Sequence, residues 1–231
     1  MSRYIVTDLT RFKNPDILCT AVIDMGTGQC LRPIPYLKSE TVRKINMHPG
    51  AILDGELIPN RDVKNPHLED ATYKSLKYVG VASTEDFKAI LDKTLSPSIA
   101  AGFGVQFLAD QKHIPVGQQA NCSIITVKIS PNDLNILEDE YNPGRIKASL
   151  TDGAGHSYRY LSITDKGFFE FAQKHQKDGK LNELRTSLRS QREVYLRIGV
   201  GRQFQVGQKD GYWLQVNGIY TFPEFLEEIR S

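Results

Sequence analysis

Along the chain, apolar and polar positions change period several times, most regularly in the second half. From Cys122 to Ser130, β-branched residues alternate with Ile125, Val127 and Ile129 on one face, which predicts a strand. Pro131 to Leu137 predicts a short connecting helix or turn. Residues 144–163 hold two alternating runs around Asp152-Gly153-Ala154-Gly155, a hairpin signal. In the first run Ile146, Ala148 and Leu150 oppose Arg145, Lys147 and Ser149. In the second, Leu161 and Ile163 as the inward pair would put Tyr158 and Tyr160 outside with the basic residues, although Tyr suits either face. From Asp165 to Gln191 the period lengthens. Phe168, Phe171, Ala172 and His175 keep helical spacing, and Leu181, Leu184 and Leu188 resume it after Gly179. That stretch is one helix broken near Asp178-Gly179, or two short ones. Alternation returns with Val194, Leu196, Ile198 and Val200. It recurs where Tyr212, Leu214 and Val216 oppose Trp213, Gln215 and Asn217, with Asn217-Gly218 read as a turn.

The first half repeats this order more roughly. Strand-like runs occur at 3–7, 17–24 and 29–34, then a helix-compatible stretch at 38–47 that His48-Pro49-Gly50 breaks. Further strand-like runs follow at 51–58 and 76–82. A helix is expected from Ser83, with Asp86 at the capping-box position and Phe87, Ile90 and Leu91 as its apolar stripe. Residues 17–23 are apolar on both faces, as expected of a strand covered on its outer side by another chain or by the second half. No residue-level repeat relates the halves; only the architecture recurs. In each, three strands, a helical piece and two strands give the order of the OB-fold, a five-stranded Greek-key barrel whose second and third strands commonly face the ligand. A small α+β sandwich would satisfy the same pattern. The expected fold is therefore a β-rich α+β chain of two tandem OB-like five-stranded barrels with helical connections. Residues 1–115 form the first barrel with its following helix and linker, and 116–231 the second with its inserted helix. Ser96–Gly117, with three Gly and two Pro, is the expected linker.

Composition narrows the class. The 231 residues include 29 basic and 27 acidic side chains, for a net charge of +2, which excludes a histone-like polycation. The charge is uneven: residues 141–205 carry 12 Lys/Arg against 6 Asp/Glu, so an anionic partner would be drawn there. No apolar run approaches the ~18–20 residues that span a bilayer, and the start lacks a signal-peptide core. Three scattered cysteines (Cys19, Cys30, Cys122) suit a reducing compartment better than a disulfide framework. A cytoplasmic protein with no membrane partner is expected.

Catalytic motifs are mostly missing: the chain has no Walker loop, nucleophile elbow or His-Glu-x-x-His, and no complete dinucleotide fingerprint. No two of His48, His67, His113, His156 and His175 have metal-ligand spacing with a Cys, so neither metal nor cofactor is expected. His67, near Glu69 and Asp70, is the weak catalytic candidate, because acid–base work needs an imidazole oriented by a carboxylate. The alternative is a loop-shaping role. Arg32 beside Pro33, and Arg202 after Gly201, can each present a guanidinium fork to an anion, or else bridge the two barrels. Arg145, Lys147, Tyr158 and Tyr160 combine cations with aromatic planes on expected OB strands two and three, an arrangement suited to stacking bases at roughly 1–3 kcal/mol each. Trp213, the one tryptophan, is either a packing anchor or a further base platform. Lys174, Lys177, Lys180, Arg185, Arg189 and Arg192 read as a solvated helix face that could also meet phosphates.

CTAVIDMGTGQCLRPIPY, NPHLEDATY, YLRIGVGRQF and GYWLQVNGIYTFPEF together resemble the prokaryotic dual-OB-domain family over residues 3–225. The resemblance rests on Cys19, Leu31-Arg32-Pro33, Pro66-His67-Leu68-Glu69-Asp70, Gly199 with Arg202 and Phe204, and Trp213 to Ile219. Cys30 departs from the family's usual Trp, and Gln203 from its usual Pro. The resemblance implies two OB-like barrels and nucleic-acid association, often in genome defence, without an agreed reaction. The expected function is a non-catalytic module binding nucleic acid, with single strands or RNA favoured. The alternatives are a protein-interaction adaptor docking an effector enzyme, and a hydrolase or nuclease using the His67 loop.

Overall fold

A computed structural model describes residues 2–224. In the first half, β1 (Ser2–Arg11), β2 (Ile17–Asp24) and β3 (Cys30–Ile34) follow one another, and β4 (Leu37–Lys38) leads into α1 (Ser39–Lys44). Between β2 and β3, Asp24 Oδ1 accepts the amides of Gly26 and Thr27, each at 2.9 Å, and so shapes the turn. Next come β5 (Ala51–Pro59) and β6 (Asp70–Val81). β1 pairs with both β2 and β5, β5 with β6, β2 with β3, and β3 runs parallel to β6. These five strands close into a barrel around Tyr4, Val6, Leu18, Val22, Leu31, Leu53 and Ala71. Fully burying each such aliphatic side chain stabilises by roughly 1.5–3 kcal/mol. α2 (Thr84–Lys93) then starts where the capping pattern places it, Ser83 Oγ accepting the Asp86 amide at 3.0 Å.

The expected linker is not one. It contains α3 (Ile99–Phe103) and β7 (His113–Pro115), and Ile99, Phe103, Val105, Phe107 and Ile114 are buried in the second core. Its glycines serve close packing. A Cβ on Gly102 would lie 2.8 Å from Ile125, and Gly104 ends α3 at φ 66°. Residues 96–115 thus pack with the second half.

That half continues with β8 (Ile124–Ile129), β9 (Leu134–Glu138), β10 (Ile146–Thr151), β11 (Ser157–Ile163), α4 (Lys166–Lys177), α5 (Leu181–Ser190), β12 (Glu193–Val200), β13 (Phe204–Val206) and β14 (Lys209–Phe222). The helical stretch is two helices, parted at Gly179, φ 72°. The strand order is β8-β12-β14-β11-β10-β9, and β8 does not pair with β9. The sheet is therefore open where a second closed barrel was expected. A 3-10 turn, Pro131–Asp133, separates its two edge strands. Pro131 has no amide to give a ladder, and Ser130 Oγ accepts from Asn132 instead. Beyond this turn the chain is strand, not helix, so the reading of 131–137 as a helix or turn holds only for its first three residues.

Two register slips correct further expectations. Between β12 and β14, Arg197 faces Gly218 while Ile198 faces Val216, leaving Asn217 over. Asn217-Gly218 is thus a bulge inside a continuous strand, not a turn. Between β10 and β11, Ala148 faces Leu161 while Leu150 faces Tyr158. The extra residue reverses the alternation: Tyr158 turns inward, 1% exposed and edge-on to Phe107, while Tyr160 stays outward at φ 56°.

A third apolar cluster joins the halves. Ile5 and Ile23 of the barrel and Phe87, Ile90 and Leu91 of α2 pack with Tyr195, Tyr220 and Phe222 of the second sheet. At Ile23 the outer face of the doubly apolar strand β2 is covered by α2 together with aromatic residues of the second sheet.

Candidate nucleic-acid interface

The bulge in β11 places Tyr160 on the rim of a cleft of about 350 Å³ formed with β10, β13 and β14. Lys112, Lys147, Tyr160, Arg202, Phe204 and Trp213 line it. Lys147, Tyr160, Arg202 and Trp213, far apart in sequence, are thereby brought together. Lys112 and Phe204 were not anticipated. Lys112 lies in the supposed linker, while Phe204 stands in the Gly-Arg-Gln-Phe segment of the resemblance, which offered a signal for it.

The aromatic wall is held rigidly on one side. Trp213 Nε1 donates to the Phe204 carbonyl at 2.7 Å, and its ring stacks on His113 at 4.9 Å and 26°. Phe204 is 66% exposed and Tyr160 37%, so both present apolar faces to solvent. The cations opposite are incompletely neutralised. Lys147 Nζ donates to Ser162 Oγ at 3.0 Å and lies 3.8 Å from Asp139. Burial pushes its pKa down, Asp139 opposes this, and Lys112, Arg145 and Arg11 add to the depression. Around Lys147, then, Lys112, Arg145 and Arg11 outnumber Asp139, while Arg202 is already paired with Asp70; the excess of cations favours a bound anion.

The remaining candidates are placed elsewhere. Tyr158 lies in the core and presents no face for stacking. Arg32, 4% exposed, gives Nε to Asp70 Oδ1 at 2.6 Å and Nη1 to Ser123 Oγ at 3.1 Å, so it bridges the halves and offers no fork to a ligand. Arg202 gives Nη2 to Asp70 Oδ2 at 2.9 Å and Nε to the Tyr36 hydroxyl at 2.9 Å, yet keeps an exposed edge at the cleft. Arg145 lies in an adjoining cleft. On the helices, Lys174, Lys177, Lys180, Arg189 and Arg192 are exposed, whereas Arg185 is tied to the Ile136 carbonyl at 2.7 Å.

The His67 loop is tied into the fold through both of its carboxylates. Glu69 Oε1 accepts the amides of Ser123 and Ile124 at 2.7 and 3.1 Å, and Oε2 accepts Ser123 Oγ at 2.6 Å. Asp70 is shared by Arg32 and Arg202. His67 is 5% exposed, with neither ring nitrogen in a well-formed hydrogen bond. Burial first, then Arg202 and Arg32, push its pKa down to about 3, far from a base poised near neutrality. The thiols are equally unsuited to attack. Burial pushes Cys19 and Cys30 up to about 11 and Cys122 up to about 12. Among the described residues, no three His, Cys, Asp or Glu side chains gather as metal ligands, and no helix is long and apolar enough to cross a membrane. In comparisons with family models, curated proteins and solved structures, nothing matches this chain.

Proposed function

We propose that this chain is a non-catalytic module that binds single-stranded nucleic acid in the cleft between β10–β11 and the β13–β14 hairpin. The observation that carries the reading is the meeting, in one open cleft, of the aromatic faces of Tyr160, Phe204 and Trp213 with Lys112, Lys147 and Arg202. Bases stack on such faces whatever their sequence, and cations track the backbone. In a duplex the base faces are already stacked on one another, so an unpaired strand is favoured. The strand pairings of the second sheet follow the order of the closed barrel, with the first strand interrupted at Pro131–Asp133. This order supports reading the open sheet as a second OB-like half; membership of the dual-OB-domain family and a genome-defence setting are proposed on the sequence resemblance alone.

Labelled single-stranded RNA, single-stranded DNA and duplex DNA, titrated by anisotropy at several salt concentrations, test the reading. Micromolar binding with a single-strand preference and a steep salt slope is the expected result; no binding at low salt would sink it. A protein-docking role is the second reading, favoured by β13, which among the described strands pairs only with β14 and carries exposed Phe204 and Val206. An effector protein recovered undiminished after nuclease treatment would support it.

A further inference from the structure

Beside the aromatic cleft lies a second, of about 380 Å³, in which the end of β1 meets β10 and α4. Its walls bring Arg11 and Lys13 of the first half to Arg145 and Lys147 of the second. We infer that this cleft is a phosphate clamp between the halves, holding one phosphate of the strand whose bases occupy the neighbouring cleft. The inference rests on the proposed function for the source of the phosphate, but not for the clamp itself.

Three observations carry it. Arg11 is held in place: its amide donates to the Thr164 carbonyl at 2.9 Å, and its guanidinium lies 3.4 Å from the Phe169 ring centroid. Yet Nε of Arg11 is buried without a hydrogen-bond partner, although a guanidinium has five donors to satisfy. The surrounding charge is unbalanced too. Burial and Arg145 both disfavour the Arg11 cation, and Glu170, the carboxylate that opposes them, is held by Lys166 at 2.9 Å. On the other wall, Asp139 is the acidic partner of Lys147, at 3.8 Å. A phosphate oxygen between the walls would accept from the terminal nitrogens of Arg11, leaving the buried Nε as it is, and relieve the repulsion between Arg11 and Arg145. The two clefts share Lys147, Ser162 and Gln215, so a single strand can occupy both.

The test compares wild type with Arg11→Gln and with Lys13→Ala, an exposed position where misfolding is not expected; thermal melts check that both fold. Each is titrated with inorganic pyrophosphate by calorimetry and with a labelled oligothymidylate by anisotropy across salt. The expected result is about tenfold weaker binding of both probes to Arg11→Gln and a smaller loss for Lys13→Ala. The salt slope should be shallower by roughly 0.7 for each phosphate contact removed. Tyr160→Ala should weaken the oligonucleotide alone. If both folded variants bind both probes like wild type, the clamp is wrong while the aromatic cleft stands. If wild type binds pyrophosphate through Arg11 but no oligonucleotide, the proposed function fails and the clamp takes free phosphates.

Discussion

His67 stands beside two carboxylates in sequence, yet in the fold its ring is buried and neither carboxylate orients it. Its ring is packed edge-on against Tyr212, with centroids 5.6 Å apart, and burial beside Arg202 and Arg32 keeps it neutral. The unfolded chain has a histidine pKa of about 6.5. Between that value and about 3, unfolded molecules therefore bind a proton that native ones do not. Stability due to this residue is complete above roughly pH 6.5 and drains away as pH falls, at up to about 1.4 kcal/mol per pH unit. His67→Leu should consequently lose about 1–2 kcal/mol less than wild type between pH 7.5 and pH 5. Urea denaturation at both pH values checks this; equal losses would show that the imidazole is protonated in the native state. His113, depressed in the same direction, is common to both proteins and cancels in the comparison.

At the scale of the element, the β11 bulge decides which tyrosine faces the cleft. Tyr160 holds φ 56°, a region where a residue with a Cβ costs roughly 1–2 kcal/mol. Tyr160→Gly should thus leave the melting temperature unchanged or higher while weakening single-strand binding about 5- to 160-fold, the worth of one stacked base at roughly 1–3 kcal/mol. Tyr158→Phe should leave binding untouched, because that ring lies in the core. A binding loss at 158 and none at 160 would refute the bulge and its assignment. The bulge also marks where sequence reading reached its limit. Most strand and helix positions, the Ser83 cap and the Gly179 break were legible because period, capping and turn chemistry are local, although β6 begins at Asp70, ahead of the expected 76. The bulges at Tyr160 and Asn217, and the strand after Pro131, were not, because a one-residue slip is settled by the partner strand. Ser96–Gly117 misled for a related reason: its glycines permit close approach to Ile125 and Asn121 rather than flexibility. Of the site, Lys147, Tyr160, Arg202 and Trp213 could be nominated one by one, but the cleft that unites them depends on how β10, β11 and β14 meet.

Over the whole molecule, the halves are coupled by buried charge as well as by apolar contact. Arg197 of β12, 1% exposed, gives Nε to Asp8 Oδ2 of β1 at 2.9 Å, Nη1 to Thr126 Oγ1 at 2.8 Å and Nη2 to Cys30 Sγ at 3.2 Å. Both charges are out of water, so the pair gives little net stability, yet removing one partner strands the other at a cost of about 3–5 kcal/mol. Asp8→Asn removes the balancing charge while nearly preserving shape. Because Arg197 lies in the second sheet and Asp8 in the barrel, with the Ile5–Tyr220 cluster beside them, the loss should be felt by both halves at once. Trp213 fluorescence follows unfolding of the second half, and amide exchange of β1 and β5 follows the barrel. For Asp8→Asn both should shift to lower urea together, with one transition in each protein. High salt should not restore the loss, since a pair this buried is little screened. If amide exchange in the barrel shifts while the Trp213 transition stays in place, the halves are independent units and the junction is a contact without energetic weight. That result would also weaken the phosphate clamp, which requires β1 and β10 to hold a fixed spacing. Coincident transitions would instead show that the first half sets the geometry of a cleft whose aromatic wall belongs to the second.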